Sequence, residues 1–192
     1  MTLDELAIKH GTDKASQFTR TYAKPHDYCR HLERFFEPMR NHYVNLIEIG
    51  VGGGESIKTW LDYFLAGQVY GVDLVHDTNE WNSLGPSPTD RYQFTCGSQS
   101  DPRFWNGFFG IHGALTLDIV IDDGSHESND IKLALTCLWK HLKPGGIYVI
   151  EDLNYDRRSQ IWTESLVGHI HNGTTDIDSI SFSKELAILR KK

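Results

Sequence analysis

The sequence predicts an α/β fold, in which helices cover both faces of a mostly parallel, doubly wound sheet. Three observations support this prediction: short apolar runs recur along the chain, helix-like stretches separate them, and two more strand-like segments follow the last run. The length of 192 residues fits one domain of ordinary size. We expect a single domain at 1–192, with an N-terminal helical and lid segment at 1–40 and the sheet core at 44–190.

The five apolar runs are four to six residues long, rich in β-branched and aromatic residues, and bounded by turn signals. This pattern predicts buried strands at 44–49, 69–72, 92–95, 117–121 and 146–150. The intervening stretches predict helices at 56–66, 101–109 and 128–141. The turn-rich segment 76–90 is expected to form a surface loop.

The end of the chain predicts an antiparallel addition to this sheet. A helix is expected at 158–171, followed by strands at 179–183 and 185–189 that are separated only by Lys184. Such a tight hairpin brings the sheet to seven strands and places an antiparallel strand at its C-terminal end. Ordinary dinucleotide-binding sheets usually lack this ending, although the fold is Rossmann-like in its parallel part.

Composition and charge exclude several classes of function. The formal net charge is −7, and the basic residues are scattered except at Arg190–Lys192, so we expect no nucleic-acid partner. No stretch reaches the roughly 18 apolar residues of a membrane span, and MTLDELAIKHGTDK lacks an apolar signal core, so we expect no membrane partner. Cys29, Cys96 and Cys137 form no CxxC pair. They are typical of reduced thiols in a soluble, cytoplasmic protein.

The first strand runs directly into a glycine-rich turn, GVGGGES, which contains Gly50 and Gly52. Missing side chains let the backbone amides of such a turn approach a ligand, although any tight strand-to-helix turn also favours glycine. Glu48 lies two residues before Gly50, where its carboxylate would repel the pyrophosphate of a nicotinamide dinucleotide. The same carboxylate would attract the ammonium and sulfonium of S-adenosylmethionine. The pattern therefore favours this cofactor over a dehydrogenase cofactor.

Residues after the second and third strands complete the predicted cofactor site. Asp73 ends YGVD, at the distance from the glycine turn expected for an acceptor of two ribose hydroxyls, with a helix or turn cap as the alternative. Ser98 and Gln99 follow the third strand and are expected to wall the adenine. Asp101 is expected mainly to cap the next helix.

Acidic residues end the fourth and fifth strands, in VIDDGSH and VIEDL. Asp123, Glu151 and Asp152 should converge at one edge of the parallel sheet, where they would repel one another unless a cation neutralised them. Oxygen ligands favour Mg²⁺ or Mn²⁺ over zinc, with Ca²⁺ as an alternative. Asp122 should point away from Asp123 because strand side chains alternate, so we assign it to the cofactor and not to the metal.

His126 follows a Gly-Ser turn after these carboxylates. Its near-neutral pKa suits a general base that removes the proton of a substrate hydroxyl near the metal. The alternative is a surface histidine that caps the following helix. The first interpretation predicts an enzyme that methylates a hydroxyl group of a small molecule.

Taken together, LIEIGVGGGESIKTW, YGVD, VIDDGSH and LKPGGIYVIEDL resemble the metal-dependent macrolide and aminocoumarin sugar O-methyltransferases of the macrocin and mycinamicin type. The resemblance extends from about Leu3 to Lys191 and implies the class I methyltransferase fold, S-adenosylmethionine, Mg²⁺ and a sugar or other natural-product acceptor. It also allows a homo-oligomer. The implied site residues are Asp123, Glu151 and Asp152 for Mg²⁺, His126 as the base, and Glu48, Gly50 and Asp73 for the cofactor. HGTDKAS resembles a loop that closes over the cofactor, which implies that Thr12, Asp13 and Lys14 touch its methionine end.

The chain departs from the family pattern after Asp152, where LNYDRRSQIW leads quickly into the late helix instead of a longer excursion. We expect no large N-terminal domain before the core, and therefore a lid from the first forty residues, from 76–90 or from a partner subunit. Two alternatives stay open. One is an oxidative relative similar to cephalosporin hydroxylases, although the two-histidine, one-carboxylate iron pattern is absent. The other is a non-catalytic module that binds S-adenosylmethionine.

Overall fold

The computed structural model describes residues 1–17, 24–74 and 90–192, and in these residues seven strands form one sheet. The strands are β1 (Val44–Ile49), β2 (Gly67–Asp73), β3 (Tyr92–Cys96), β4 (Leu117–Asp122), β5 (Leu142–Ile150), β6 (Ile177–Ser183) and β7 (Leu186–Lys191). The predicted surface loop at 76–90 lies outside the described residues, apart from Asp90.

The sheet has the order β3-β2-β1-β4-β5-β7-β6. The first five strands are parallel, whereas β7 is antiparallel to both of its neighbours, β5 and β6. This topology confirms the predicted seven-stranded, mostly parallel sheet with an antiparallel C-terminal end. It also brings the carboxyl ends of β1, β2, β4 and β5 to the same edge.

The helices are α1 (Leu3–His10), α2 (Tyr28–Phe36), a 3₁₀ turn at Glu37–Met39, α3 (Glu55–Tyr63), α4 (Pro102–His112), α5 (Ser128–Trp139) and α6 (Arg157–His171). Asp101 caps α4 as predicted, since its carboxylate accepts from the Arg103 amide. None of the described helices is long and apolar enough to cross a membrane. The element bounds differ most at β5, which begins at Leu142 and not at 146. Residues 143–146 lie inside β5, and the pairing of β5 with β4 shifts register across them.

Alternating strand residues build two apolar layers. Leu46, with its counterparts on the neighbouring strands, packs against α1, α2 and α3. Ile47 points to the opposite face, where α4, α5 and α6 cover the sheet. Because both faces are covered, the functional side chains collect at the carboxyl edge of the strands.

Candidate active site

A cavity of about 580 Å³ opens at this carboxyl edge, a volume in the usual range for small-molecule sites. Most of the predicted site residues line it: Thr12, Asp13, Lys14, Gly50, Gly52, Asp73, Ser98, Gln99, Asp123, His126 and Asp152. Three others, Glu48, Asp122 and Glu151, do not line it and are buried below its surface.

The glycine turn forms one wall of this cavity. Gly50 has φ +81°, and a Cβ there would come within 1.9 Å of the backbone oxygen of Asp123. The carboxylate of Asp73 accepts hydrogen bonds from the amides of Val51 (2.8 Å) and Gly52 (3.2 Å). Asp73 therefore shapes the turn itself, in addition to facing the cavity.

We predict that Gly50→Ala lowers the free energy of unfolding by about 2–5 kcal/mol, because an L side chain is strained at this φ and collides with the end of β4. Gly52→Ala is the matched control. Gly52 also has positive φ (+51°), but its Cβ would meet nothing within 4 Å. Gly52→Ala should lower the free energy of unfolding by only about 1 kcal/mol. Urea denaturation measures both free energies. Equal losses of stability in the two variants would contradict the close approach of Gly50, which follows β1, to Asp123, which follows β4.

Glu48 lies beneath the glycine turn and is fully buried. One carboxylate oxygen accepts from the Ser56 hydroxyl (2.8 Å) and the Trp60 indole (3.0 Å). The other oxygen lies 3.7 Å from the ammonium of Lys14. Burial raises the pKa of Glu48 to about 7, despite the opposing charge of Lys14. The side chain thus faces Lys14, where the sequence argument had it face the cofactor directly.

Lys14 is the cation of the acidic cluster in this structure. Its ammonium donates to Asp123 and, at 2.6 Å, to Glu151, and the side chain is only 3% exposed. Although burial alone would lower the pKa of Lys14, the surrounding carboxylates raise it well above its ordinary value. The predicted repulsion between Asp123 and Glu151 is therefore relieved here by a lysine from the N-terminal segment.

Three side chains at the cavity form a group that fits a divalent cation. Donor atoms of Asp123, His126 and Asp152 all lie within 4.8 Å of one another. Carboxylate oxygens are ligands that Mg²⁺ and Mn²⁺ prefer, whereas an imidazole is a more usual ligand of zinc or iron. Glu151 is not part of this group, but one of its oxygens is buried and has no hydrogen-bond partner within the described part of the chain. That acceptor is available to a cation at the same edge.

His126 sits in a turn that other residues hold in place. It has φ +58°, an uncommon conformation for a non-glycine residue, and its Nε2 lies 3.9 Å from Asp152. The preceding amide, that of Ser125, donates to the side chain of Gln99 at 2.7 Å. Gln99 in turn donates to Asp122 at 3.0 Å. These contacts hold the turn from which His126 lines the cavity.

Asp122 thus has a supporting position and not a direct one. It is 1% exposed and accepts from Gln99 and from the Tyr148 hydroxyl (3.0 Å). Burial raises its pKa to about 7. Strand alternation correctly predicted that Asp122 and Asp123 point to opposite faces. The contact with Gln99 was not predicted, because nothing in sequence spacing indicates which side chain lies beneath a turn.

Sequence reasoning also missed Tyr28. Its hydroxyl donates to Asp152 at 2.5 Å, although the two residues are 124 positions apart. His26 and Glu185 lie on the same side of Asp152, and the three form a second group of clustered donor atoms. No local motif marks these residues, so their contacts can be identified only in the folded structure.

Comparison with known proteins matches residues 47–153 to a family described as a methyltransferase domain. The mycinamicin VI 2''-O-methyltransferase of Micromonospora griseorubida is 36% identical over 143 residues, which cover 71% of this chain and 34% of that protein. The demethylmacrocin O-methyltransferase of Streptomyces fradiae is 31% identical over 194 residues, which cover 96% of this chain and 43% of that protein.

A solved structure is similar over the whole chain. The MycE methyltransferase from the mycinamycin biosynthetic pathway, in complex with Mg, SAH and mycinamycin VI, matches with a TM-score of 0.81 and 26% identity. The match covers 100% of this chain and 53% of that one. This chain therefore spans about half of that structure, and less than half of the two curated proteins.

Proposed function

This chain belongs to the methyltransferase-domain family, and we propose that it transfers the methyl group of S-adenosylmethionine to a hydroxyl of a small molecule in a Mg²⁺-dependent reaction. Family membership confirms the resemblance that the motifs predicted. The observation that carries the proposal is the cavity, which has the glycine turn and Asp73 in one part and Asp123, His126 and Asp152 in another.

The acceptor that we propose is a sugar moiety of a natural product. One relative from Streptomyces olivaceus, 37% identical over 155 residues, is named for a rhamnosyl tetracenomycin. Sugars carry the hydroxyl groups that this site requires. The proposed acceptor is taken from the names of these relatives. Each of them is more than twice as long as this chain.

The cofactor site that we propose follows the cavity wall. Amides of the glycine turn approach the cofactor, and Asp73 accepts a ribose hydroxyl. A carboxylate has about four acceptor positions, and the amides of Val51, Gly52 and Leu74 use three of those on Asp73, which leaves one for the ribose. In this proposal, Ser98 and Gln99 lie beside the adenine of the cofactor. Thr12, Asp13 and Lys14 lie at its methionine end.

Asp123 and Asp152 would hold the divalent ion, with Glu151 as the third carboxylate, once the contacts of Asp123 and Glu151 with Lys14 loosen. When bound, the cofactor supplies an electrophilic methyl group on a sulfonium, and the metal ion lowers the pKa of a nearby hydroxyl. Nε2 of His126 accepts the hydroxyl proton. Asp152, at 3.9 Å, then stabilises the charged imidazolium. The cavity walls would position the acceptor hydroxyl beside the bound cofactor, and such positioning contributes up to about 7–11 kcal/mol.

Binding and turnover experiments on the full chain test this proposal. Isothermal titration should show binding of S-adenosylhomocysteine and of Mg²⁺, and no binding of NAD⁺. A mass-spectrometric screen with labelled S-adenosylmethionine and glycosylated acceptors, mycinamicin VI among them, should detect a methylated product that EDTA abolishes. Binding without any turnover across the screen would favour a non-catalytic module, and absence of both binding events would contradict the proposal.

Other expectations remain predictions. Cys29, Cys96 and Cys137 are free thiols in the structure, and the reducing, cytoplasmic compartment stays a prediction. A single domain at 1–192 and a homo-oligomer are likewise predicted. Size-exclusion chromatography with light scattering would measure the oligomeric state.

A further inference from the structure

The two carboxylate oxygens of Asp152 have different surroundings. Oδ1 accepts the hydroxyl hydrogen of Tyr28 at 2.5 Å and lies 3.4 Å from Nδ1 of His26. Oδ2 is the oxygen that lies towards His126, at 3.9 Å from its Nε2. One oxygen is therefore fixed from behind, while the other is directed to the candidate metal group.

Tyr28 is well placed to fix Asp152 because it is itself immobilised. It is the first residue of α2 and is 1% exposed. The preceding residue, Asp27, forms ion pairs with Arg30 (2.6 Å) and with Lys184 (2.9 Å) in the turn between β6 and β7. The C-terminal hairpin thus holds the start of α2 against the end of β5.

Backbone conformation marks the same set of contacts. In the described part of the chain, four non-glycine residues have positive φ: Asp27, His126, Asp152 and Lys184. Asp27, Asp152 and Lys184 take part in the contacts just described, and His126 is the residue towards which Oδ2 of Asp152 lies. Such conformations are unfavourable for residues with a side chain and persist where surrounding contacts hold them, often at functional sites.

We propose that Tyr28 is a positioning residue for the metal site, whose hydroxyl fixes Oδ1 of Asp152 and so keeps Oδ2 directed at the ion. This inference rests on the proposed metal-dependent function. Partners that orient a metal ligand without touching the ion typically change metal affinity about 10- to 100-fold when removed.

The test is Tyr28→Phe, which removes the hydroxyl and keeps the buried ring. Electron paramagnetic resonance should show Mn²⁺ affinity about 10- to 100-fold below that of the wild type, while circular dichroism shows the same fold. Tyr63→Phe is the matched control. Tyr63 is also fully buried, and its hydroxyl also donates to a carboxylate, that of Glu37 at 2.9 Å, which is not among the site residues. This control should bind Mn²⁺ like the wild type.

The outcomes separate the two proposals. Unchanged Mn²⁺ affinity in Tyr28→Phe would overturn the positioning role, and so would an equal loss in Tyr63→Phe, which would reveal a general effect of stability. If the wild-type chain itself binds no Mn²⁺, the metal-dependent function fails, and this inference fails with it. Mn²⁺ binding that is weaker in Tyr28→Phe and unchanged in Tyr63→Phe supports the positioning role of Tyr28.

Discussion

Replacing His126 with alanine is expected to reduce turnover about 10²- to 10⁴-fold, because the variant lacks the group that accepts the hydroxyl proton. The affinity for S-adenosylhomocysteine should stay within about twofold of the wild-type value, since only an interaction of the transition state is lost. Initial rates with the acceptor identified by the screen, together with isothermal titration, measure both quantities.

Mn²⁺ affinity decides between the two roles that the position of His126 allows. The imidazole is close enough to Asp123 and Asp152 to be a metal ligand as well as a base. A base should leave Mn²⁺ affinity unchanged in the alanine variant, whereas a ligand should weaken it together with turnover. His171→Ala is the control, because His171 is exposed at the end of α6 and should have no effect. Wild-type turnover in His126→Ala would remove this residue from the mechanism.

The fold could be predicted because its signals are local. Each buried strand is a short apolar run, and the hairpin around Lys184 is visible as two runs with almost nothing between them. Errors were limited to element ends. The start of β5 was placed four residues late, because Pro144 and the two glycines after it look like a turn. The strand nevertheless begins at Leu142, which pairs with Leu117 of β4 before the register shifts.

The site could be predicted only in part, for a physical reason. Spacing along parallel strands indicates which residues reach the carboxyl edge. Of the three predicted carboxylates, Asp123 and Asp152 come together there with His126, whereas Glu151 lies buried below them. Spacing along the strands does not indicate which positively charged side chain from another part of the sequence neutralises these carboxylates. Lys14 and Tyr28 reach these carboxylates from the N-terminal segment, more than one hundred positions away, with no periodic pattern to mark them.

Replacing Lys14 with methionine is expected to lower the free energy of unfolding by about 3–5 kcal/mol in metal-free buffer. The side chain is 3% exposed and neutralises Asp123 and Glu151, so its loss leaves buried carboxylates without a counter-ion. Urea denaturation in EDTA measures this loss. Lys143→Met is the control, since Lys143 pairs with Asp118 at 2.7 Å but is 38% exposed. Such an exposed pair should contribute less than about 1 kcal/mol.

The loss in Lys14→Met should depend on pH. Burial raises the pKa of Glu151 and of Asp123, and removing the ammonium removes the charge that opposes this shift. A carboxyl group whose pKa is higher in the folded state keeps its proton there after the unfolded chain has lost it, so stability falls as pH rises from about 4 through the raised pKa. The deficit should therefore be small near pH 4 and largest near pH 8. Mg²⁺ should restore part of it at pH 8 by binding the freed carboxylates. A deficit independent of both pH and Mg²⁺ would mean that Lys14 contributes packing and not charge.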